Sequence, residues 1–148
     1  MPFQFPLETL LRYRRGIEQQ RELKLQEAVQ RLIAVQREIG AVDESVRWLE
    51  ENELHELVSG LRASQLHWDR LCLSALAARR LELEELLAQR EQERARCQTE
   101  FFSAHRDREA VETLRKEGLG RYLQEQARRE QRRLDDLFLM RREYRNRR

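Results

Sequence analysis

The sequence predicts an all-α protein, a long antiparallel two-helix coiled-coil hairpin with the C-terminal helix overhanging its partner. Three observations predict this. Leu, Ala, Glu, Gln and Arg, all strong helix formers, dominate a chain of 148 residues that holds only two prolines and five glycines. Apolar residues recur at seven-residue intervals in two long segments separated by one short break. Charged residues make up 38% of the chain and mean hydropathy is -0.87, which leaves too little apolar surface for a thick core. Leucines nevertheless recur throughout, as they do not in disordered chains of similar polarity.

The first helix is expected over about residues 5–57. Ala28, Leu32, Val35, Ile39, Val42, Val46 and Leu49 follow a strict 4-3 spacing, which averages 3.5 residues and lays a narrow apolar seam along one face. Upstream, Leu7, Leu10, Leu11, Ile17 and Leu25 keep an apolar stripe but slip from that register, as an inserted stutter would produce. The tip is expected over about 58–65, with Ser59-Gly60 as a helix stop and Ser64 as N-cap of the second helix.

The second helix is expected over about 66–145. Leu66, Leu73, Leu87 and Phe101 lie on one seven-residue row, and Leu76, Leu83, Cys97, Ala104 and Val111 lie on its companion. Arg80, Arg90, Arg94 and Arg108 interrupt these rows. Their long stems can carry the charge out of a thin two-helix seam, whereas a globular core would not tolerate them. A symmetric return about residue 61 pairs residues whose numbers add to about 122, so Leu49 lies near Leu73 and Val35 near Leu87. About 50 paired residues then span roughly 75 Å at 1.5 Å per residue. The first helix runs out opposite about residue 115, where KEGLGR places Gly118 and Gly120 and suggests a bend. The whole chain 1–148 reads as a single coiled-coil domain.

The net charge of +2 hides a strong polarity. Residues 121–148 hold ten arginines against five acids, whereas residues 41–60 hold six acids against one arginine. The basic overhang also carries Tyr122, Leu123, Leu134, Leu137, Phe138, Leu139, Met140 and Tyr144, which no internal helix reaches. Apolar groups mixed with arginine on an uncovered surface mark a docking site.

The same reading excludes several function classes. A two-helix hairpin has no concave interior in which catalytic groups converge, and His55, His67 and His105 stand singly with no metal or triad spacing. No glycine-rich phosphate loop occurs, and no enzymatic activity, cofactor or small-molecule substrate is expected. Cys72 and Cys97 are 25 residues apart, outside any CxxC, and read as small apolar residues, so neither a disulfide framework nor a metal site is expected. No run approaches the roughly 20 apolar residues of a membrane span and no signal-peptide pattern opens the chain, which places it in the cytoplasm. Trp48 and Trp68, flanking the tip, are expected to staple the two helices together. Nucleic acid is a minority reading, because Glu125, Glu130, Asp135, Asp136 and Glu143 interleave the tail arginines and break a uniform basic stripe.

FQFPLETLLRYRR at the start, REAVETLRKEG near residue 115 and EQARREQRRLDDLFLMRR toward the end together resemble the FliJ family of flagellar export proteins over essentially the whole chain. The most specific part is the aromatic-x-Phe-Pro-Leu start, Phe3 to Leu7. The resemblance implies the central stalk of the flagellar type III export ATPase, a protein that is monomeric in isolation and peripherally associated with the inner-membrane export apparatus. Its implied partners are the export ATPase hexamer, the membrane-embedded export gate and export chaperones. In that arrangement Phe3, Phe5, Leu7, Leu10 and Leu11, with Arg121, Arg128, Arg129, Arg132 and Arg133, form the surface offered to the ATPase ring. The acidic tip meets the gate, with Val42, Leu71 and Leu76 assigned there by location. The alternatives are the equivalent stalk of a virulence secretion system, a scaffold coiled coil that pairs with itself, and a nucleic-acid-associated coiled coil.

Overall fold

The computed structural model describes residues 2–60 and 62–147 and contains two helices, α1 (Glu8–Ser59) and α2 (Ala63–Asn146), with no strand among the described residues. The two pack against each other as a hairpin. α1 ends where Gly60 takes φ +92°, the left-handed conformation that costs a residue with a Cβ about 1–2 kcal/mol. The Ser59 hydroxyl turns back to the carbonyls of His55 and Glu56 at 3.3 and 3.2 Å, satisfying acceptors that the helix end leaves open. The connection is tighter than the sequence suggests. The Arg62 carbonyl accepts bonds from the Gln65 and Leu66 amides, so Ser64 lies inside the first turn of α2 instead of capping it. Leu61, within the expected tip, lies outside the described residues.

The packing groups into two compact units. The middle unit, Gln19–Phe102, has its core in Ala28, Leu32 and Val35 of α1 and Leu83 of α2. Cross-helix ion pairs mark its register: Arg21 with Glu100 (2.7 Å), Arg31 with Glu93 (2.9 Å), Glu38 with Arg79 (3.1 Å), Asp43 with Arg80, and Glu53 with Arg70 (3.4 Å). Paired numbers add to between 117 and 124, close to the value for a symmetric return. The terminal unit joins the chain up to Glu18 with the residues from Ser103 onward, around Leu11, Ala104 and Val111. Glu8 pairs there with Arg115 (3.2 Å) and Arg14 with Asp107 (3.2 Å).

The expected stutter is absent. In α1 the residues Leu11, Arg14, Glu18, Arg21, Leu25 and Ala28 continue the 4-3 spacing without a slip, and all are buried or half-buried. The seam holds its register but charged residues occupy three successive positions. A count of apolar residues alone misreads this as a register shift, because a long Arg or Glu stem fills the seam while its head reaches an ion-pair partner on the flank. α2 behaves alike. Its two rows run unbroken from Leu66 and Asp69 to Gly118 and Tyr122, with Arg80, Arg90, Arg94 and Arg108 half-buried along them. α2 also continues helically through Gly118 and Gly120, since an isolated glycine costs about 1 kcal/mol relative to alanine, too little to break so long a helix.

Among the described residues, Asp69 is the one polar residue at a buried seam position, 8% exposed, and its Oδ2 has no hydrogen-bond partner. Burying an unpaired polar oxygen costs about 1–3 kcal/mol. Replacing it with Leu is therefore expected to raise the stability of the hairpin by about 1 kcal/mol or more in urea unfolding followed by circular dichroism. Leu83, 1% exposed, is the opposite case: Leu83→Ala is expected to lower stability by about 2–3 kcal/mol in the same assay, while Leu81→Ala, on the solvent face, stays within about 0.5 kcal/mol of the parent.

Candidate partner-binding surfaces

The terminal unit gathers the two ends of the chain. Pro6 and Leu7 form a turn in which the Phe5 carbonyl accepts the Glu8 amide (3.2 Å) and the Leu7 carbonyl accepts the Leu11 amide (2.9 Å). This turn lets the preceding residues lie along α2. The Phe3 ring sits 5.6 Å from the Tyr122 ring at a 48° tilt, and its edge covers Gly118, where an added Cβ would stand 3.5 Å away. Phe3 and Phe5 are thus half-buried anchors. Leu7 and Leu10 remain 38% and 37% exposed, whereas Leu11 is fully buried. Leu11 therefore holds the unit together and has no surface to offer a partner.

Below this cap lies a charge network. Arg108 donates to Glu18 and to Glu112 (2.9 Å), Glu112 also accepts from Arg15 (3.2 Å), and His105 meets Glu18 at 3.3 Å and Glu109 at 3.3 Å. Partial burial pushes the Glu18 carboxyl up, but hydrogen bonds from Arg108 and His105 and their charges outweigh it and hold the carboxyl below the ordinary value. The Arg108 hydrogen bond likewise lowers Glu112, and the bonds to Glu18 and Glu112 raise Arg108. The network fixes the register of the unit and has the chemistry of a clamp. Among the described residues no group of three or more His, Cys, Asp or Glu is placed to hold a metal ion.

Past Tyr122, α2 is exposed at nearly every position. Leu123, Leu134, Leu137, Phe138, Leu139 and Met140 all stand more than half exposed. Arg121, Arg128, Arg129, Arg132 and Arg133 share this surface. Arg129 is paired with Glu125 (2.5 Å) and Arg121 with Glu117 (3.7 Å), both one helical turn apart.

In the middle unit, Leu71 is exposed while Val42 and Leu76 are half-buried seam residues. The tryptophans do not staple the helices. Trp48 is 63% and Trp68 65% exposed, because each precedes a seam position, Leu49 and Asp69, by one residue, and a step of about 100° carries it off the seam. Trp48 instead lines a shallow groove with Ala41, Glu44, Ser45 and Leu49. The signal for this was present in the 4-3 spacing, which places neither tryptophan on a row. Cys72 and Cys97 are half-buried thiols.

Two long helices paired along one seam, with an apolar and arginine-bearing stretch of α2 left uncovered, define the class as a coiled-coil hairpin protein. The family model described as Flagellar FliJ protein matches residues 3–148, and the chain belongs to this family of flagellar type III export proteins. That assignment favours the flagellar system over its virulence counterpart. No curated protein and no solved structure matches the chain. No helix among the described residues is long and apolar enough to cross a membrane.

The lowered carboxyls set an acid limit. Their contribution to stability is present at neutral pH, persists down to the unfolded value near 4.5, and is lost as pH falls through the folded values below it. Glu18→Gln is expected to melt earlier than the parent at pH 7, and the difference is expected to close as pH falls below about 4.5, followed by circular dichroism melts at each pH.

Proposed function

We propose that this protein is the non-enzymatic central stalk of a flagellar type III export apparatus. In this reading the terminal unit enters the ring of the export ATPase, promotes its hexamer and couples its turnover to the membrane export gate. The observation that carries the proposal is the terminal unit itself: half-buried Phe3 and Phe5, exposed Leu7 and Leu10, and an arginine-rich overhang belong to one compact body. Arginine, aromatic rings and exposed apolar groups together suit a protein partner that offers acidic and apolar surface, since buried Arg and aromatic anchors dominate interface energies. Leu11 is buried and contributes no contact to the ring.

The acidic end of α1 and the residues facing it are proposed to meet the gate. Leu71, Trp48 and Trp68 supply the exposed surface there, while Val42 and Leu76 act by holding the seam beneath. Export chaperones are proposed as further partners, and the chain works in the cytoplasm at the inner face of the membrane. Family membership and the absence of a described membrane-crossing helix support that location.

The test is turnover of the cognate export ATPase with and without the protein. Stimulation accompanied by hexamer formation is expected. A Leu7→Ala/Leu10→Ala variant is expected to lose most of it, at least about tenfold in the concentration needed, with unchanged helicity because both side chains are partly exposed. Full stimulation by a correctly folded double variant removes the N-terminal residues from the interface; no stimulation by the parent protein defeats the stalk reading.

A further inference from the structure

The overhang is more than an extension of the hairpin seam. Carried past Tyr122, the internal rows of α2 fall on Glu125, Arg129, Arg132, Asp136, Leu139 and Glu143, which are almost all charged. A separate seam begins one residue later. Leu123, Ala127, Glu130, Leu134, Leu137, Arg141 and Tyr144 follow a 4-3-4-3-4-3 spacing, and every one of them is exposed. A strict heptad of this kind asks for a helical partner. It lies on a face of α2 rotated by about 150° from the face that α1 covers.

The seam carries a further pattern. Reading it against itself in the opposite direction, with residue numbers adding to 271, brings Ala127 opposite Tyr144, Glu130 opposite Arg141 and Leu134 opposite Leu137. Small meets large, acid meets base and leucine meets leucine. Because a two-fold axis repeats each contact, every pair occurs twice. The flanking positions agree: Phe138 falls beside Gln131 and Met140 beside the stem of Arg133, so both are covered and no like charges face each other. The remaining charges of the overhang, including Asp135, Asp136, Arg128 and Arg132, point outward from this pairing. A parallel in-register pair would instead oppose Glu130 to Glu130 and Arg141 to Arg141, which like-charge repulsion forbids.

We propose that the overhang, residues 127–144, is a self-recognition element that pairs antiparallel with the overhang of a second copy, with Glu130 and Arg141 setting direction and register. The pairing goes beyond the stalk reading and is measured on the protein alone, so the two stand or fall separately. Its seam spans only about two and a half heptads and includes two polar positions, which makes the dimer weak and reversible. It begins beyond Tyr122, where the cover supplied by Phe3 ends, so the second copy fits without displacing the N-terminal segment. A dimer of this kind hides Leu134, Leu137, Phe138 and Met140 from other apolar surfaces until a tighter partner takes them.

The experiment is sedimentation equilibrium of the full chain from low micromolar to several hundred micromolar, comparing the parent with Glu130→Arg, Arg141→Glu and the double exchange. All the altered positions are exposed on the overhang, so helicity and melting of the hairpin serve as the folding control. A monomer–dimer equilibrium is expected, weakened by about tenfold or more in each single variant and restored to within about threefold in the double exchange. A monomer at every concentration, assembly beyond the dimer, single variants that associate like the parent, or a double exchange no better than the singles would overturn the proposal.

Discussion

A two-helix hairpin offers each helix one seam to bury, and the rest of the molecule depends on that constraint. Only seven apolar residues are buried among the described residues, Leu11, Ala28, Leu32, Val35, Leu83, Ala104 and Val111. So thin a core is a single seam with no second apolar layer behind it. It also leaves most of the leucines partly in water, which explains why an apolar residue on this surface is weak evidence of function unless a pattern organises it. The ion pairs that cross the seam are largely exposed and individually worth less than about 1 kcal/mol. Their value lies in register: each sits beside the seam and penalises a slip of the two helices.

Much of this was legible in the sequence because the heptad is a geometric signal that needs no tertiary information. The spacing from Ala28 to Leu49 and the rows of α2 locate the helices, their faces and their pairing. The signal failed where side chains play two parts. Arg14, Glu18 and Arg21 occupy seam positions as stems and flank positions as charges, so a count of apolar residues sees a gap where the helix sees continuity. Asp69 differs from these: it is short, buried and without a partner for its Oδ2, and a count of apolar residues passes over a polar side chain on the row. For the tryptophans position outweighs residue type: their place one residue off the rows sets them facing solvent.

The candidate surfaces were less legible than the fold. Pattern indicates which residues no internal partner can cover, and the overhang beyond Tyr122 followed directly from the unequal lengths of α1 and α2. It does not separate a leucine that anchors a cap from one that greets a partner. Leu10 and Leu11 are neighbours with similar local sequence, yet one is partly exposed and the other closed off by α2. Only the packing around the N-terminal turn distinguishes them.

The turn at Gly60 also carries a consequence for how the hairpin assembles. Gln65 and Glu56 are nine residues apart in the chain, whereas Glu8 and Arg115 are separated by more than ten times that distance. Loop-closure entropy makes the first contact cheap and the last one conditional on those before it, so the two helices close like a zipper from the turn outward. The pairing nearest the chain ends is then the last to form and the first to fray. The region that carries the exposed leucines, the aromatic cap and the arginines is the one whose local order is easiest to rearrange, which suits a surface that must adapt to whatever it enters.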